Sequence, residues 1–158
     1  MNHHVKVVSP DVIIEPLLAL LDEVAFVPLV ISGGSMTPFL VHGRDTVYLS
    51  KINKPLEKGD IVLFQRTNGS YVLHRIFRIE DDFYTMVGDA QTYLEPGIHE
   101  SQMRAIVTAV RRKGKLLQKR DFCWFFFEKI WINIVPLRPT VRKVYLFFKQ
   151  LFNNKGAI

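Results

Sequence analysis

The chain contains a single cysteine, Cys123. It has no partner for an internal disulfide, and the lack of a Cys cluster argues against a zinc site of the Cys-rich kind. Long apolar runs are also missing. No stretch of 18 residues is both apolar and uncharged, so no conventional transmembrane helix is predicted. The start of the chain lacks the pattern of a secretory signal peptide. Asn2, His3, His4 and Lys6 lead into Asp11, Glu15, Pro16, Asp22 and Glu23, and the apolar stretch 12–21 is too short and too interrupted for a signal core. His3, His4, His42 and His99 do not fall at metal-ligand spacing on any predictable element. They read as surface or loop residues, and the sequence calls for no metal and no cofactor. Disorder is not the default either, because 48% of the 158 residues are hydrophobic and 23% are charged. That length is one domain, enough to bury a core without disulfides.

What is present is unevenly distributed charge. Residues 1–110 hold 9 Lys and Arg against 13 Asp and Glu, a net of −4. Residues 111–158 hold 12 against 2, a net of +10, and the two parts give the +6 of the whole chain. A mildly acidic body carries a strongly basic tail, which points to a membrane surface or nucleic acid as the tail's partner.

The chain divides into three parts: an amphipathic segment 1–26, a β domain 27–120 and a basic aromatic tail 121–158. Ser9-Pro10-Asp11 has the form of a helix start, a Ser cap followed by Pro in the first turn. Val12, Ile13, Leu17, Leu20, Leu21 and Val24 then recur with roughly helical spacing, predicting a helix that packs on the body. Pro16 is close enough to the start to be tolerated. From residue 27 the pattern becomes β-rich, with runs at 27–31, 46–49, 61–65, 71–79, 83–87 and 104–110. Asn68-Gly69 between two of them is a hairpin signal, and Gly114 is placed to turn a final one. Thr46 and Tyr48 read as strand residues. Together these predict a mainly β fold, a barrel or sandwich, with a short N-terminal helix and C-terminal amphipathic helices.

In the tail, six of ten residues over 111–120 are basic, and Phe122 to Phe127 follow with Trp124 among them. Pro136 and Pro139 should break any helix before the last segment. There Val141, Val144, Tyr145, Phe148, Leu151 and Phe152 form a helical stripe flanked by Arg142, Lys143 and Lys149. Residues 122–152 are expected at a membrane interface, with Trp124 and Trp131 in an aromatic belt; the alternative is that they fold back as core. The aromatics are too clustered for a nucleic-acid stacking platform, so no specific nucleic-acid partner is called for.

The informative stretch for chemistry is Ser32-Gly33-Gly34-Ser35-Met36-Thr37-Pro38. Paired glycines turn the backbone sharply and leave the Ser35 hydroxyl unobstructed. A serine is a weak nucleophile until a neighbouring base accepts its proton. His74, at the centre of the longest β run, is the candidate base, since a strand fixes a side chain firmly and imidazole titrates near neutrality. A carboxylate should orient it, with Asp89 the first candidate and Glu95 the second.

Four boxes in order carry a resemblance: Ser-Met-Thr-Pro-Phe-Leu at 35–40, Lys-Gly-Asp-Ile-Val-Leu-Phe at 58–64, Val-Leu-His-Arg-Ile at 72–76 and Val-Gly-Asp-Ala at 87–90. Residues 30–110 resemble the type I signal peptidases, closest to the branch of the endoplasmic reticulum, archaea and spore-forming bacteria that has His as its base. No Lys lies between Lys58 and Lys113, which disfavours a Ser–Lys dyad of the kind used by other signal peptidases and by self-cleaving repressor peptidases. The resemblance implies an all-β serine endopeptidase that cleaves a signal or leader peptide from a precursor. It implies Ser35 as nucleophile, His74 as general base and the Ser35 N–H as oxyanion donor. Asp89 matches the first position of the family's acidic box, and Glu95 falls on the second, where the family usually has Asp. Asp89, which keeps the family residue, is expected to orient His74. Gly33 stands where many relatives add a Ser hydroxyl to the oxyanion hole. Relatives usually hang from a transmembrane helix ahead of the nucleophile box, so peripheral attachment through the tail is expected here. The alternative function is a non-catalytic membrane-surface or peptide-binding module on the same fold.

Overall fold

The computed structural model describes residues 10–153, with side chains over 13–147. His3, His4 and the Ser9 cap lie outside the described residues, as do the side chains of Phe148, Leu151 and Phe152. Helix α1 spans Pro10–Leu20 and runs through Pro16, its seventh residue, whose missing N–H leaves out one i→i−4 hydrogen bond. The buried stripe is Ile14, Leu17, Leu18 and Leu21, at i, i+3, i+4 and i+7. Ile13, Leu20 and Val24, expected on that face, point outward; the true stripe is the cleaner helical spacing, rotated by about one position.

Eight strands follow: β1 Val27–Val30, β2 Thr46–Ser50, β3 Ile61–Gln65, β4 Tyr71–Glu80, β5 Phe83–Val87, β6 Glu95–His99, β7 Met103–Arg112 and β8 Lys115–Gln118. They form one antiparallel sheet in the order β1-β2-β7-β3-β4-β5-β6, with β8 beside β7. The sheet is open, with β1 and β6 at its edges, rather than the closed barrel or two-sheet sandwich expected. Register shifts between β2 and β7, β3 and β7, β4 and β5, and β5 and β6 increase its twist. The Asn68-Gly69 hairpin forms between β3 and β4 with Gly69 at φ 87°. Lys113 (φ 50°) and Gly114 (φ 79°) turn β7 into β8, a pair of positive φ values that suits a two-residue hairpin. Strand β6 is not among the expected runs; it holds Pro96 and Gly97, which weaken a strand interior but are tolerated at a sheet edge.

Burial on both faces of β3 explains its continuous apolar run. Ile61 and Leu63 face a large cluster that also takes Ile14 of α1 and Leu21 in the turn after it, and Val62 and Phe64 face a second cluster with Ile76 and Met86. The large cluster includes the start of the tail. Helix α2 (Phe122–Phe125) widens into a π turn over Phe126–Ile130, tightens to 3-10 over Trp131–Leu137 with a break at Ile134, and continues as α3 (Arg138–Asn153). Trp124 is fully buried, its ring edge-on to Phe39 at 5.7 Å, and Trp131 packs on Phe127 at 5.8 Å. These two residues are therefore core and not an interfacial belt. Large aromatic faces gain most by packing on one another, and Phe39 and Phe127 supply the partners. Pro139 does not break the helix, because it sits in the first turn of α3, where its absent N–H is not needed.

Candidate active site

The loop from Ile31 to Asp45 joins β1 to β2 and presents Ser35. Met36, Phe39 and Leu40 are buried and hold the loop down, while Ser35 stays half-buried. Gly33, at φ 80°, takes a conformation that L side chains avoid. Its N–H donates to His42 Nδ1 at 3.1 Å, and the Ala90 N–H donates to the Ser35 carbonyl at 2.8 Å. The loop is thus pinned on one side by residue 42 and on the other by the segment after β5. Among the described residues, neither the amide nor the hydroxyl of Ser35 is taken by a hydrogen bond.

Strand alternation sends His74 and Arg75 of β4 to opposite faces of the sheet. His74 is buried, with its ring 6.1 Å from that of Phe64. Its Nδ1 has no hydrogen-bond partner, and the nearest carboxylate is Glu95, with Oε2 at 3.7 Å. Glu95 enters from β6 and is held by Arg66, whose Nε and Nη2 donate to its two oxygens at 2.6 and 2.7 Å. Burial pushes the imidazole pKa down to about 4, with Glu95 pulling upward against it and Arg66 adding to the downward shift. The Arg66 guanidinium holds the Glu95 carboxyl below its ordinary range. At neutral pH the pair is a neutral imidazole beside an ionised carboxylate.

Ser35 and His74 line one cavity of about 270 Å³ with Ser32, Gly33, Arg66, Gln91 and Tyr93. Gly88 sets how close the two approach. A Cβ there would lie 2.6 Å from the Ser35 carbonyl oxygen and 3.0 Å from His74 Nε2, so no larger residue fits without displacing one of them. Helix α1 reaches the rim, where the Tyr71 hydroxyl donates to Glu15.

Asp89 is elsewhere. Fully buried, it accepts from Arg75 Nε at 2.9 and 3.2 Å on the far side of β4, and Arg75 also donates to the Gly59 carbonyl at 3.0 Å. Burial pushes the Asp89 carboxyl up, while Arg75 and Arg138 pull it down. The expectation that Asp89 orients His74 is therefore corrected: its oxygens are engaged by Arg75, and Glu95 is the carboxylate beside the imidazole. The preference for Asp89 rested on residue type, whereas strand alternation decides which face each carboxylate meets.

Five contributors carried no signal read from the sequence. Arg66 is 29 positions from Glu95, and nothing local links them. Gly88 stands in a box that also reads as an ordinary turn. His42, taken as a loop residue, accepts the Gly33 N–H. Arg138 reaches back to the carbonyls of Gly88 and Gln91 at 2.7 and 2.8 Å, and the Trp131 indole N–H donates to the Asp89 carbonyl at 2.8 Å. The tail thus clamps the segment that abuts both Ser35 and His74.

This arrangement has the parts of a nucleophilic acyl-transfer site: an unengaged hydroxyl, a neutral buried imidazole, a carboxylate behind it and an unengaged backbone amide. Comparison of the chain with family models, curated proteins and solved structures finds no match.

Proposed function

We propose that the protein is a serine endopeptidase resembling the Ser–His branch of the signal peptidases, and that it removes a signal or leader peptide from a precursor. The observation that carries this reading is the single cavity shared by Ser35 and a neutral His74 across Gly88. Ser35 Oγ attacks the scissile carbonyl as His74 Nε2 accepts its proton, forming the acyl bond while the tetrahedral oxygen is met by the Ser35 N–H. His74 then passes the proton to the leaving amine. Water, deprotonated by the same nitrogen, hydrolyses the acyl-enzyme and restores the serine. Glu95 stabilises the imidazolium that forms in each half-reaction. At 3.7 Å from Nδ1 it acts through charge rather than through a hydrogen bond. The resemblance adds that the substrate lies as an extended strand with small residues before the cut.

A second reading, a non-catalytic peptide-binding module, is favoured by the unpartnered His74 Nδ1 and by Gly33 at the position of the additional oxyanion hydroxyl. A fluorophosphonate probe separates the two. Stoichiometric labelling at Ser35, lost in Ser35→Ala and His74→Ala variants that remain folded, supports the peptidase. An inert wild-type protein, or labelling that survives His74→Ala, overturns it.

A further inference from the structure

We propose that α3 docks the protein on an anionic lipid surface. The start of the tail is largely spoken for, because Trp124, Phe127, Trp131, Ile132 and Val135 are core and Arg138 belongs to the clamp on the Gly88–Gln91 segment, although Phe122, Phe125, Ile130 and Leu137 stay exposed. From Pro139 to Phe147 every described side chain is exposed. Val141, Val144 and Tyr145, which share one stripe, are 41%, 49% and 64% exposed. The sequence continues that stripe through Phe148, Leu151 and Phe152. An aromatic and aliphatic stripe left in water needs a partner. Charge selects which one. Beyond the buried Arg138, residues 139–153 hold Arg142, Lys143 and Lys149 and no Asp or Glu. An anionic surface attracts the helix, and the six basic residues over 111–120 add to that attraction from the body. With 16 residues and three basic residues beyond the buried Arg138, α3 lies along the headgroups and does not cross the bilayer, and no described helix is long and apolar enough to cross. The helix is rooted at Arg138 on the segment that lines the cavity through Gln91, so docking holds the cavity close to the lipid surface.

Flotation of the full-length protein tests this with vesicles of phosphatidylglycerol and phosphatidylcholine against vesicles of phosphatidylcholine alone. Binding is expected only to the anionic vesicles. Each basic side chain at such a surface contributes about fivefold, so Arg142→Gln with Lys143→Gln should weaken partitioning by roughly 30-fold. Val144→Glu with Tyr145→Glu should abolish it. Both pairs of changes should leave thermal unfolding as in wild type, because these side chains are outside the core. Equal binding to both vesicle types overturns the proposal, as does binding that survives Val144→Glu/Tyr145→Glu. It is also overturned if vesicles are ignored while the chain self-associates through α3 or is retained on duplex DNA. None of these readouts depends on peptidase activity.

Discussion

Replacing Asp89 by Asn separates the two carboxylates by what they do. The change leaves the fully buried Arg75 guanidinium without its counter-charge, although the Gly59 carbonyl and the face of Phe39, 4.8 Å away, still contact it. Truncating one partner of a buried ion pair costs about 3–5 kcal/mol. Asn can still accept one of the two hydrogen bonds from Arg75 Nε, which places the expected loss near the lower end, about 3 kcal/mol. In a chain of this length such a loss lowers Tm by roughly 6–12 °C. Glu95→Gln removes a pair whose guanidinium is partly exposed on Arg66, and solvent screening limits its stability effect to about 1 kcal/mol or less. Urea unfolding followed by tryptophan fluorescence is the assay. Both Trp124 and Trp131 are buried, and the Trp131 indole is bonded to Asp89 itself, so the signal reports the region that changes. The catalytic readout runs the other way: Glu95→Gln should slow fluorophosphonate labelling of Ser35 at near-wild-type stability. An Asp89→Asn protein with the wild-type urea midpoint, or a Glu95→Gln protein that loses as much stability as Asp89→Asn, refutes the assignment.

Two further predictions concern the cavity that Ser35 and His74 share. Gly88→Ala inserts a methyl 2.6 Å from the Ser35 carbonyl and 3.0 Å from His74 Nε2, and a displacement of about 1 Å at a reacting pair costs on the order of 100-fold; labelling of Ser35 at the wild-type rate would show that the glycine is not needed there. Because His74 loses its proton at about 4 in the folded protein, labelling should hold down to mildly acidic pH and fall only as the solution nears pH 4, where an acid limb near 6.5 would contradict the buried geometry. The same shift makes stability pH-dependent: the unfolded chain protonates His74 from about 6.5 downward while the folded chain resists until about 4. Stability attributable to this residue is full above 6.5 and falls by roughly 3 kcal/mol as pH drops through that window. Urea titrations across the range should show the slope in wild type and its loss in His74→Asn.

Legibility from the chain follows the range of the interactions. Hairpins such as Asn68-Gly69 depend on residues a few positions apart, and six of the eight strands were readable from runs of β-branched and aromatic residues. Strand β6 was not, because its pairing with β5 overrides the weakening effect of Pro96 and Gly97. The aromatic cluster of the tail was read as interfacial because nothing local reveals that Phe39 lies across from Trp124, 85 positions away in the chain.

By itself the sequence determined the mainly β class, the basic tail and the two residues, Ser35 and His74, whose chemistry makes a candidate site. These are carried by composition, by short-range periodicity and by residue type. Only the tertiary structure decided which carboxylate faces the imidazole, that Arg66 holds it, that Gly88 lies against both the Ser35 carbonyl and His74, and how far along the tail the core extends. Each of these depends on which face of a strand a side chain takes and on what a distant segment brings to it. One residue of register inverts the first, and no local pattern encodes the second.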